Sequence, residues 1–261
     1  MEDKSKEEYI RHDGISDWIK KRADEQYNEQ WNNYAPCKQG VEKIDIFYYV
    51  YGFLHLESYR KKFANNLKNE LPKIPLVEDY ATFEKISRAG RDLADLHLHF
   101  EPEAGSLTGC NTLTTDTRFA HDSVRCIAPA KSTGEVSAVL PTQMTETEEA
   151  LYEKYYVQKV RQSDDKTKLL FYNRQGDIFH TLDIPPEVEK WQINGSTCTW
   201  WIEKMYKVTT DPKTGRVNDP NDYAREYGNP RYIIELAENV IKIAVQTVKI
   251  LDELNKIKVE I

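Results

Sequence analysis

The chain has 261 residues, 39% hydrophobic, 11% aromatic and 30% charged, with 36 Lys and Arg against 43 Asp and Glu for a net charge of -7. That length suits one large domain or two modest ones, and 16 Tyr, 8 Phe and 5 Trp exclude disorder throughout. No stretch approaches the ~20 apolar residues of a membrane span, and the N-terminal MEDKSKEEYIRHD has no apolar signal-peptide core. Cys37, Cys110, Cys126 and Cys198 are irregularly spaced and read as reduced thiols, so the expectation is a soluble cytoplasmic protein with no membrane partner. The acidic balance lacks the basic footprint of a simple DNA binder, so any DNA contact must rest on local patches.

The first hundred residues read as helical. Ser16 or Asp17 is placed to cap a helix running to Tyr27, and Pro36 and Gly40 then break the chain. From Ile44 a second helix is predicted through to Leu71. Ile46, Phe47, Val50, Tyr51 and Leu54 recur at helical spacing, Tyr59, Phe63 and Leu67 follow every fourth residue, and Pro72 and Pro75 end the run. A third is predicted over Tyr80 to Leu98, with Phe83, Ile86, Ala89, Leu93 and Leu96 on one face. Residues 102–148, rich in Thr, Ser, Gly and Ala, read as a long loop or partly disordered insertion.

From Tyr152 the texture turns to strand: YYVQKVRQ, KLLFYN, a turn at Arg174-Gln175-Gly176-Asp177, then IFHTLDIP, closed by Pro185-Pro186. Ser196 is placed to cap a helix over Trp200, Trp201, Met205 and Tyr206. DPKTGRVNDPND reads as turns, and a last amphipathic helix runs from after Pro230 to Leu254. The fold expected is α+β and predominantly helical. A helical scaffold over 1–101 precedes the 102–148 insertion, and 149–261 holds a small antiparallel β unit and a long C-terminal amphipathic helix.

Catalytic motifs are missing. The sequence has no G-x-x-x-x-G-K-[ST], no G-x-G-x-x-G and no G-x-S-x-G. Asn229-Pro230-Arg231-Tyr232 is reminiscent of the Asn-Pro-Pro-Tyr loop of base-flipping methyltransferases, but a helix start at Pro230 explains it more simply. His97 and His99 with Cys110, His121 and Cys126 have the ligand types of a zinc site without a C-x-x-C clamp. No catalytic residue, metal or cofactor is therefore assigned. Local basic character is clearer. Residues 151–175 carry six basic and three acidic side chains, and Arg60, Lys61, Lys62 and Lys68 are interleaved with Asn65 and Asn66. Lys159, Arg161, Lys166, Lys168 and Arg174, then Arg60 and Lys61, are the candidates for phosphate contact. Gln158, Gln162, Asn173 and Gln175 are the candidates for base edges. The bland alternative is an ordinary solvated face.

The string Asp45-Ile46-Phe47-Tyr48-Tyr49-Val50-Tyr51-Gly52 is followed by Leu54-His55 and Ser58-Tyr59-Arg60, then by residues 66–75 (NLKNELPKIP) and 90–98 (GRDLADLHL). With Ile193-Asn194-Gly195-Ser196, residues 214–219 (TGRVND) and Asn229-Pro230-Arg231-Tyr232, it resembles the C-terminal specificity region of type ISP restriction-modification enzymes, over about residues 10–101 and 152–255. The resemblance implies a non-catalytic module that reads duplex DNA for an adenine-N6 methyltransferase and helicase-nuclease polypeptide. It also implies a split or orphaned C-terminal piece. The rival expectation is an interaction subunit that docks on such a polypeptide, through the Ile233–Leu254 stripe, with little DNA affinity of its own.

Overall fold

The computed structural model describes residues 13–28, 30, 40–102 and 146–259. The fold is α+β and predominantly helical, with two hydrophobic cores. Helix α1 (Asp17–Tyr27) starts where Ser16 Oγ accepts from the Ile19 N–H, one of the donors a helix start leaves unpaired. Helix α2 (Lys43–Phe53) follows, with a capping box between Glu42 and Asp45.

The predicted helix over 44–71 is three pieces: α2, α3 (Glu57–Lys62) and α4 (Asn66–Asn69). The break falls at Leu54-His55-Leu56 and has a local cause. His55 Nδ1 lies 2.8 Å from the Tyr51 carbonyl, taking the place of its own N–H, which turns to Gly52 O at 3.0 Å. The buried face of α2 also differs from the predicted one. Ile46, Tyr49, Gly52 and Phe53 point inward while Phe47 is exposed. The segment is apolar almost all round, so its own periodicity gives little contrast and the neighbouring helix decides the face.

That neighbour is α5 (Tyr80–Leu98), which spans the predicted residues and is capped by Asp79, whose carboxylate accepts from the Thr82 N–H at 2.8 Å. It buries Phe83, Ile86 and Leu93. Helices α2 and α5 cross where Gly52 meets Gly90, and nearby the Ser87 hydroxyl donates to the Asp45 carbonyl at 2.8 Å. The proline-bearing segment before α5 is extended, and its carbonyls are satisfied by core tyrosines. Tyr27, Tyr49 and Tyr59 donate to Val77 O, Pro75 O and Lys73 O at 2.5, 2.7 and 3.1 Å.

The described chain resumes with a helix where strand texture is expected: α6 (Glu146–Lys154) takes in Tyr152 and Lys154. The rest of 103–145 lies outside the described residues. Strands β1 (Lys159–Gln162), β2 (Lys168–Tyr172) and β3 (Ile178–Asp183) form an antiparallel meander, with the predicted turn at Arg174–Asp177 and Gly176 at φ 88. A 3-10 turn (Pro186–Lys190) and a short hairpin of β4 (Gln192–Ile193) and β5 (Ser196–Thr197) lead into α7 (Cys198–Met205). Its cap is Thr197, one residue later than predicted, accepting from the Trp200 N–H. Burial pushes the Cys198 thiol up to about 11, as for an inert core residue.

The predicted turn region 211–222 contains more structure than expected. Strands β6 (Thr209–Thr210) and β7 (Val217–Asn218) pair as a hairpin, and α8 (Pro220–Tyr227) starts with Asp219 as cap and Pro220 in its first turn. Asn229, fully buried, accepts from the Arg231 N–H and donates to Glu235, so the Asn-Pro-Arg-Tyr motif shapes the entry to the last helix. Helix α9 (Tyr232–Leu254) begins at Tyr232, two residues past Pro230. Ile233 to Ala244 line the second core, while Leu251 and Leu254 join α1–α5 in the first. Each fully buried Ile or Leu contributes roughly 1.5–3 kcal/mol.

The two cores meet at His97. Its Nδ1 lies 2.7 Å from Tyr51 Oη and its Nε2 3.2 Å from Thr247 Oγ1, with Trp191 stacked on the ring at 5.2 Å and His55 at 6.1 Å. Burial, with a smaller electrostatic push from His55, holds the His97 imidazole down to about 4, and burial also lowers His55. An unfolded histidine titrates near pH 6.5. Below that pH the unfolded chain takes up protons that the fold refuses, so stability present above pH 6.5 is lost as pH falls toward about 4. Thermal melts across pH 7.5 to 5 should show this decline, and a His97→Gln variant should show a flatter one. Parallel curves would assign the acid sensitivity to other groups.

Candidate nucleic-acid interface

Side chains alternate across a strand, so register sorts the predicted residues by face. Val160 pairs with Phe171 and Gln162 with Leu169 on the core side. Lys159 pairs with Tyr172, Arg161 with Leu170 and Lys168 with Asp183 on the other. Arg161 and Lys168 are exposed and Lys159 is half-buried, its ammonium 4.6 Å from the Tyr172 ring centre. Three of the predicted cations therefore share the solvent face of one sheet. Lys166 stands at the β1–β2 turn, exposed, with φ 58. That turn is set by the Asp165 carboxylate, which accepts from the Ser163 hydroxyl and the Thr167 N–H and is thereby held down to about 2. Among the described residues, Lys159, Arg161, Lys166 and Lys168 are in no ion pair.

Several of the other predicted residues are engaged elsewhere. Gln162 faces the core and its amide donates to Thr199 Oγ1 at 2.6 Å. Arg174 donates to the Glu153 carboxylate at 3.1 and 3.2 Å and lies 3.8 Å over the Tyr156 ring, which ties the β2–β3 turn to α6. Asn173 Oδ1 accepts from the Asp177 N–H and closes the same turn. Gln175 is exposed at its tip, and Gln158 is half-buried just before β1. Lys61 is paired with Glu57 at 2.7 Å, and it and Arg60 sit on α3, in the first core rather than beside the sheet. Of the zinc candidates, His99 Nδ1 bonds the Asp95 carbonyl and His97 is engaged as above. Cys110, His121 and Cys126 lie outside the described residues. Among the described residues no three ligand-type side chains cluster, and no helix is long and apolar enough to cross a membrane.

Sequence reasoning missed one neighbour of this face. Lys207 pairs with Lys159 in an isolated antiparallel bridge, and Val208 N–H donates to Gln158 O at 3.0 Å. This places the chain entering the β6–β7 hairpin on the free edge of β1. No local pattern announces a pairing between segments so far apart in sequence.

A search of curated proteins finds no match. Solved structures that resemble the chain include three in complex with DNA or a DNA mimic. A nuclease-deletion mutant of the type ISP restriction-modification enzyme LlaGI, in complex with a DNA substrate mimic, is 27% identical with a TM-score of 0.57, over 86% of this chain and 14% of that one. The ATP-dependent type ISP enzyme LlaBIII bound to DNA is 23% identical (TM-score 0.57, 89% and 12%), and DrdV in a DNA complex is 22% identical (TM-score 0.54, 92% and 20%). The chain thus spans a fifth or less of the length of each, and the last two establish likeness of fold. The model of the type ISP C-terminal specificity domain matches residues 1–236, and the chain belongs to that family.

Proposed function

We propose that this chain is a DNA target-recognition module, without catalysis of its own, that lays the outer face of the β1–β2–β3 sheet on the sugar–phosphate backbone of duplex DNA. The observation that carries this reading is the row of cations Lys159, Arg161 and Lys168 on one sheet face, in no ion pair among the described residues, with Lys166 at its end. Strand rise spreads that row over about 13 Å, enough to meet more than one phosphate of a strand that presents one per about 3.4 Å of helix axis. Family membership and the DNA-bound LlaGI relative support it. Gln175 at the adjoining turn and Gln158 at the sheet end are the base-edge candidates that remain exposed or half-exposed. The net charge of -7 fits a module that contributes readout while a neighbouring methyltransferase and helicase-nuclease polypeptide supplies more of the positive field.

The second reading is docking on such a polypeptide without intrinsic DNA affinity. Helix α9 no longer supports it, because its apolar stripe is consumed by the two cores. What supports it is the exposed group of Ile193, Trp200, Trp201 and Met205 around α7. Fluorescence anisotropy of the full chain with random-sequence duplexes separates the two. Micromolar binding that weakens steeply with salt is the expected result, and no binding at low salt would favour docking.

A further inference from the structure

We infer that the β6–β7 hairpin is a second DNA-contacting arm, gripping the sugar–phosphate backbone where the duplex runs past the end of the sheet. This inference rests on the DNA-recognition reading and extends it to residues that the sheet does not contain.

Topology sets where the hairpin points. Residues 207–208 run antiparallel to β1 on its free edge, with Val208 donating to Gln158 O, and the chain then continues beyond the start of β1. On the other edge, the Gln158 N–H donates to Tyr172 O at 2.8 Å, and β2 continues into the Arg174–Asp177 turn. The hairpin and that turn therefore leave the sheet at the same end, opposite Lys166.

The hairpin is also held at both feet. Lys207 and Val208 anchor the way in. On the way out, the Tyr156 hydroxyl donates to Asp219 at 2.7 Å, and buried Asn221 accepts from the Val157 N–H and donates to the Val157 carbonyl, each at 2.9 Å. Its tip is ordered from within. The Asp211 carboxylate accepts from the Lys213 and Thr214 N–H groups at 2.7 and 2.9 Å, and Gly215 takes the left-handed conformation at φ 72. Asp211 is the one carboxylate between 207 and 218, and it is engaged by backbone amides. Lys207, Lys213 and Arg216 are exposed and, among the described residues, in no ion pair. An arm fixed at both ends loses little freedom on binding, which favours affinity per charge.

The test compares two variants of the full chain, Lys213→Ala/Arg216→Ala and Lys159→Ala/Arg161→Ala/Lys168→Ala, by anisotropy with a random duplex over a salt series. The hairpin variant should lose about two units of the slope of log affinity against log salt and about tenfold in affinity at low salt. Its melting curve should be unchanged, since neither side chain supports the fold. A benzophenone side chain at Thr214 should crosslink to the duplex. If the hairpin variant binds with the parent's slope while the sheet variant does not, the arm is refuted and the sheet reading stands. If the hairpin variant alone is weakened, the arm stands and the sheet falls. If neither is weakened, or the parent does not bind, both fall.

Discussion

Replacing Lys159, Arg161 and Lys168 together with alanine should remove most of the affinity for duplex DNA and leave the fold intact. Each phosphate contact releases about 0.9 counterion, so three should flatten the salt slope by about 2.7. At low salt the loss should be roughly a hundredfold or more. The side chains stand on the solvent face of a sheet whose core face is Val160, Leu169 and Phe171. Among the described residues the local contact removed is Lys159 over Tyr172, worth about 0.5–1 kcal/mol at an exposed site. Arg60→Ala/Lys61→Ala is the informative control. Lys61 is already neutralised by Glu57 and α3 belongs to the other core, so this pair should bind as the parent does. Equal losses from both variants would mean that the chain attracts DNA through its general charge and has no oriented face.

The largest effect on stability should come from Gly90→Ala. A methyl group there would run into the Tyr48 carbonyl and stand 2.7 Å from the Gly52 nitrogen, and both obstacles are helical backbone that a rotamer change does not relieve. Alanine is otherwise the better helix former by about 1 kcal/mol, so a destabilised variant would isolate the steric cost. Helices α2 and α5 must separate, loosening Ile46, Tyr49, Phe53, Phe83 and Ile86 at once. The expected cost is about 3 kcal/mol or more, at or above the top of the usual overpacking range. It should lower the melting temperature by about 6–12 °C. A melt within a degree or two of the parent would show that the two helices are free to slide apart.

The sequence announced those elements whose signals are local. Ser16, one of two candidates, caps α1, α5 spans the expected Tyr80–Leu98, and Gly176 marks the β2–β3 turn. Where two local signals compete, the reading failed. His55 turns on the helix that its neighbours favour, and Asp219-Pro220, taken as a turn, is also a helix start. The basic cluster was legible as charge, but its face was only partly so. Gln162 keeps period two with Val160 and so belongs to the core side, which the alternation alone would have revealed. The part that was out of reach is the partnership of Lys207 with Lys159, because it depends on how an edge strand finds its neighbour. Lys213 and Arg216, read within a turn segment, had no place beside the sheet until that pairing gave them one.

Helix α9 gives the chain a practical seam. Its 23 residues, about 34 Å of continuous helix, are shared out by length: the first two-thirds hold the sheet-bearing core and the last turns seal the N-terminal bundle. The two halves hang on one rod, and the rod fixes the height and rotation of one against the other. Anyone exchanging the sheet-bearing half between relatives would therefore need two junctions, one before the sheet and a second within the rod, past Thr247. A graft made there keeps Leu251 and Leu254 with the bundle they close and delivers a foreign sheet in the inherited orientation.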